Sequence, residues 1–155
     1  MTATAPAPHV VSAISGGARN PWYYAIRPDR QIEIIRRLLS EQAGHVLFYA
    51  WDRPAGGDHD EYPDQQLKVV YRDGYGAVHF TNSDPANGPV GAWMALADDP
   101  PTDAEPLAYD PWDPERVTLT PDVLLPVDRL QQLTIEYATT AHRPAGAHWK
   151  AVDFV

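Results

Sequence analysis

Cysteine is absent from the 155 residues, which excludes disulfide staples, thiol catalysis and thiolate metal sites. No apolar run approaches the ~20 residues that a helix needs to span a bilayer. Met1 to Gly17 lacks a basic start followed by an apolar stretch, so no secretory signal is read there. A cytoplasmic location is the expectation that follows. Serine is scarce, and Ser12, Ser15, Ser40 and Ser83 stand in no nucleophile motif. There is no phosphate-binding loop, no dinucleotide glycine motif and no zinc-type histidine pair, so no cofactor is expected.

What is abundant is proline. Sixteen prolines are about twice the usual share of roughly 5%. Proline breaks helices, so short elements joined by long loops are expected. With 44% hydrophobic and 21% charged residues, the chain has the composition of an ordinary globular protein. Residues 1–20, rich in Ala, Pro, Thr and Ser, read as a disordered tail, and residues 21–155 as one domain.

The formal net charge is −9, and its distribution is uneven. Residues 1–50 sum to +2, residues 51–115 to −11 and residues 116–155 to 0. An acidic middle third repels nucleic acid and anionic membrane and attracts basic partners. Two clusters hold most of the excess. The first contains Asp58, Asp60, Glu61 and Asp64 among Gly and Pro; the second contains Asp98, Asp99, Asp103 and Glu105, followed by Tyr109 and Trp112 among further acids and prolines. Aromatics in such a setting are either loop anchors folded onto the core or exposed interface anchors. These ten residues are the candidate partner-binding set.

Along the chain, residues 20–26 read as a short aromatic strand. Asp29 is placed to cap a helix that runs to about Ala43 and stops at Gly44, with Ile32, Ile35, Leu38 and Leu39 as its buried stripe. Strands are expected at 45–51, 66–72, 75–82, 89–97, 116–120 and 148–154, with Asp73-Gly74 closing a hairpin. A second helix starts at Pro126 and Asp128, buries Val127, Leu130, Leu133 and Tyr137, and ends near Thr140 ahead of Pro144. The fold class is therefore α+β: a mainly antiparallel sheet with two helices packed on one face.

Two chemical readings remain on the acidic loop and the helix exit. Asp58, His59, Asp60, Glu61 and Asp64 resemble the start of a calcium loop, which would suit a small metal-assisted hydrolase or isomerase, but Pro63 and Val69 stand where an EF-hand needs Gly and Glu. Glu136, His142 and His148 carry the groups of an acid–base pair without a spacing that demands one.

At the carboxy end, Leu124-Leu125-Pro126-Val127 leads into the second helix, followed by Thr139-Thr140-Ala141-His142-Arg143-Pro144 and then Trp149. This pattern resembles the immunity proteins of bacterial polymorphic toxin systems, in particular the family numbered first among them (the Imm-one type). The likeness spans residues 21–152. Ala141 stands where that family often has Gly, which points to a different local turn. The resemblance implies a non-enzymatic, cytosolic α+β antitoxin of interbacterial competition. Its partner would be a cognate toxin domain, a nucleic-acid-targeting deaminase or nuclease. Arg143, Pro144 and Trp149 are the family-like positions and read as a lock on the helix exit.

Overall fold

The computed structural model describes residues 10–15, 22–25, 27–40, 43–51, 64–110, 113 and 115–154. Its elements run β1 (Val10–Ser15), β2 (Trp22–Ala25), α1 (Pro28–Leu38), β3 (Ala43–Trp51), β4 (Gln65–Arg72), β5 (Tyr75–Asn82), β6 (Gly91–Ala95), β7 (Leu107–Ala108), β8 (Thr118–Leu119), β9 (Leu125–Pro126), α2 (Val127–Thr140) and β10 (Trp149–Val152). Among the described residues, eight strands form one antiparallel sheet in the order β10-β6-β5-β4-β3-β1-β2, with β9 pairing β5. The α+β class expected from the sequence is what the chain adopts.

The centre of the sheet is the β4–β5 hairpin. Asp73 and Gly74 both take positive φ, 52° and 89°, the two-residue turn whose twist matches the strands it joins. Gly76 follows for a different reason. A Cβ there would meet the Val70 carbonyl oxygen at 2.3 Å and Leu130 Cδ1 at 2.8 Å, so only hydrogen lets α2 and the partner strand approach.

Both helices cover one face. Ile34, Ile35, Leu38 and Leu39 of α1 join Leu130, Leu133, Tyr137 and Ala138 of α2 over Val46, Phe48, Leu67, Val69, Val78 and Phe80. The buried stripe of α1 includes Gln31 and Ile34, with Ile32 only half-buried. Gln31 is accommodated because its Nε2 donates to the Ala25 carbonyl at 3.2 Å.

Four expectations need correction. Arg27, not Asp29, is the N-cap of α1, because Pro28 supplies the fixed φ of a first helical residue. The helix stops at Leu38 rather than near Ala43. The Tyr71 hydroxyl donates to the Leu38 carbonyl at 2.8 Å, satisfying one of the acceptors that a helix end leaves open. Gly44 lies in β3 and clears room for that tyrosine, whose hydroxyl would sit 2.9 Å from a Cβ at 44. Within the expected tail, Val10–Ser15 forms β1 between β2 and β3. Finally, Ala141 takes the left-handed conformation, φ 57° and ψ 27°, that a glycine would have taken, so the turn is the same and the alanine bears its strain.

The two hairpin glycines separate steric clearance from backbone freedom. Gly76→Ala is expected to cost about 3 kcal/mol in urea unfolding. Gly74→Ala, with open space around it, should cost only about 1 kcal/mol from its positive φ. Equal losses would contradict the close approach at Gly76.

Candidate protein-binding surface

The second face of the sheet is covered by the long segment between β6 and α2. Val70, Ala77 and Met94 lie beneath Leu107, Tyr109, Leu119, Val123 and Leu124. At its centre, the Tyr109 hydroxyl and His79 Nδ1 are 2.8 Å apart, and both side chains are buried. Phe154 stacks on His79 at 5.2 Å and meets the Tyr109 ring edge-on at 4.9 Å. Lys68 Nζ lies 3.9 Å from the Tyr109 ring centroid, a cation over an aromatic face.

Burial controls the titration here. It pushes His79 down to about 4, with the neighbouring Lys68 charge acting in the same direction. It also raises the Tyr109 phenol to about 12 and lowers Lys68, against the favourable charge of Asp110. Tyr109 is 4% exposed and anchors the loop, so the expectation of an exposed partner contact at Tyr109 is corrected. A phenol that shares a hydrogen bond with a buried imidazole keeps its hydroxyl partnered inside the protein, which is why it packs inward.

That anchor holds the second acidic cluster on the surface. Asp98, Asp99, Asp103 and Glu105 are all exposed. Glu105 accepts from Arg72 Nη2 at 3.4 Å, and Asp73 lies 3.5 Å from Arg72 Nε. Asp98, Asp99 and Asp103 have no ion pair among the described residues. Between the hairpin turn and this loop lie two adjoining hollows of about 260 and 400 Å³. Tyr75, 39% exposed, lines both, with Asp103 between them and Asp99 in the larger. The sequence reading missed Tyr75, although its place straight after an Asp-Gly turn was a signal that its ring sits at a hairpin end.

Asp64 is exposed but stands apart. It precedes β4, whereas Tyr75 follows the turn at the other end of the hairpin, a strand length of roughly 25 Å away. Asp64 instead borders a shallow groove of about 670 Å³ with Gln66, Thr81 and Ser83. Asp58, Asp60, Glu61 and Trp112 lie outside the described residues, as does His59 of the calcium-like string. Among the described residues, no group of three or more acidic or histidine side chains could hold a metal ion, and no helix is long and apolar enough to cross a membrane.

The family-like positions form one contact set. Trp149 Nε1 donates to the Pro144 carbonyl at 2.8 Å, and the Arg143 guanidinium lies over the Trp93 and Trp149 rings at 4.8 and 5.8 Å. Glu136 is occupied in the same exit: its carboxylate accepts from the Gly146 N–H at 3.3 Å.

The His79 environment makes a signed pH prediction. Its folded pKa lies below the unfolded value of 6.5, so the unfolded chain binds the proton first. This contribution to stability is complete above pH 6.5 and is lost as pH falls towards 4, on the order of 3 kcal/mol in all. Urea midpoints between pH 7 and 4.5 should fall more steeply for the unaltered protein than for a His79→Phe/Tyr109→Phe double variant. Parallel curves would show that His79 does not titrate in this way.

No family model matches this chain, and no curated protein matches it.

Proposed function

We propose that this chain is an immunity-type inhibitor, without catalysis of its own, that binds and neutralises a cognate secreted toxin domain. The toxin class that fits best is a nucleic-acid-targeting deaminase or nuclease, because such enzymes need a basic face to attract phosphate. One observation carries the reading: Asp98, Asp99 and Asp103 are exposed and without ion pairs among the described residues, and Asp99 and Asp103 share a hollow with the exposed ring of Tyr75, on a segment pinned to the sheet. Carboxylates that are not engaged internally are available to meet guanidinium and ammonium groups across an interface. A partly exposed tyrosine among them offers area at low entropic cost, the usual make-up of an interface anchor. The −11 charge of residues 51–115 adds long-range attraction, which raises the encounter rate with a basic face. The immunity class itself comes from the resemblance of the helix exit to the Imm-one type family.

Binding kinetics against the toxin domain encoded beside this protein test the proposal. Reversing Asp98, Asp99 and Asp103 to Lys should slow association by about tenfold or more at low salt. In the unaltered protein association slows as salt rises; in the reversed variant, whose residues 51–115 still carry −5, this dependence should be shallower. Tyr75→Ala should act mainly on dissociation, at a cost of about 2 kcal/mol. An unchanged association rate in the triple variant would remove this surface from the interface.

A further inference from the structure

Helix α2 ends at Thr140, and the left-handed Ala141 turns the chain so that His142 and Arg143 leave the helix on the surface. The Arg143 guanidinium lies over the indoles of Trp93 and Trp149, and the Trp149 ring is itself held by its bond to Pro144. Among the described residues, Arg143 has neither an ion pair nor a hydrogen bond. This is unexpected in a chain where acidic residues outnumber basic ones 21 to 12. Its neighbours explain the vacancy. The hollow of about 220 Å³ beside it is lined by Phe80, Asn82, Asn87, Pro89, Trp93 and His142, without a carboxylate.

Several acceptors around that hollow are already engaged. The carbonyls of Gly88 and Pro89 receive the Asn82 Nδ2 protons at 3.2 and 3.0 Å. Asn82 Oδ1 accepts from the Asp84 N–H at 3.2 Å and from Asn87 at 3.5 Å. Among the lining side chains, the Arg143 guanidinium and the His142 imidazole supply donors. A guanidinium carries its five N–H groups in one plane, as a fork. Contact with the two indoles also orders the side chain before any ligand arrives.

We propose that this hollow is an anchor for a single carboxylate from an acidic side chain of a partner protein, taken bidentate by the Arg143 fork with His142 beside it. A carboxylate is planar and matches the fork edge to edge. A nucleic-acid backbone is disfavoured, because the net charge of −9 repels a polyanion. The anchor is independent of the acidic surface described above. It borders the Asn82 end of β5, whereas Tyr75 lies at the other end of the same strand.

The test is an NMR titration of the full chain, following the Arg143 Nε–H signal and the indole N–H signals of Trp93 and Trp149. Sodium acetate is the carboxylate probe, with inorganic phosphate and sodium chloride at matched ionic strength as the other arms. Acetate should give saturable shifts with half-saturation below about 100 mM, while chloride gives only a linear drift. In Arg143→Lys, which keeps the charge but not the fork, the indole response should weaken at least about fivefold. A linear drift with acetate, saturation by phosphate alone, or an unaltered indole response in Arg143→Lys would each overturn the proposal. The acetate and chloride arms use the unaltered chain, so the test holds even if the variant folds poorly.

Discussion

The contact between Tyr109 and His79 is the constraint on which the rest of the surface depends. A sheet with helices on one side still has a second face to account for, and here Val70, Ala77 and Met94 on that face are apolar. The segment that covers them is rich in acids and prolines, and it buries Leu107, Tyr109, Leu119, Val123 and Leu124 against them. Tyr109 supplies a large ring, and His79 gives its hydroxyl a partner inside the protein. With Phe154 closing the cluster, the segment is tethered near its middle while its acids stay in water. The position of Asp99 and Asp103 beside Tyr75 is thus a consequence of what is buried beneath the loop.

The two faces of the molecule divide the work. The helix face supplies the main core, and its tolerances are tight, as the approach of α2 to Gly76 shows. Its exit from α2 is held by Trp149 on the Pro144 carbonyl, by Glu136 on the Gly146 N–H and by Arg129 on the Gly146 carbonyl. These bonds hold the strained Ala141 conformation in place. The loop face carries the charge asymmetry.

Much of the frame is legible in the residues. Asp73-Gly74 between alternating runs announces the central hairpin, and Pro126, the Leu130–Leu133–Tyr137 stripe and Pro144 bound α2 closely. The boundary of α1 is not legible, because Gly44 signals a helix end locally while its real constraint is the distant ring of Tyr71. Val10–Ser15 is short and lies within an Ala-, Pro-, Thr- and Ser-rich stretch that reads as a tail; pairing with β3 is what recruits it. The acidic cluster at 98–105 is evident from charge alone. Whether Tyr109 or Tyr75 faces solvent is not, because that depends on a buried histidine thirty residues away in one case and on a turn geometry in the other. Charge is a property of the chain, whereas exposure belongs to the fold.

The central claim is that this acidic surface blocks a basic toxin domain. The most direct measurement titrates the folded chain into the toxin domain encoded beside it and follows the toxin's activity on nucleic acid. The account predicts that activity disappears at one-to-one stoichiometry, with a complex that weakens steeply as salt is raised. Full toxin activity in the presence of about a tenfold excess of folded protein at low salt would contradict it.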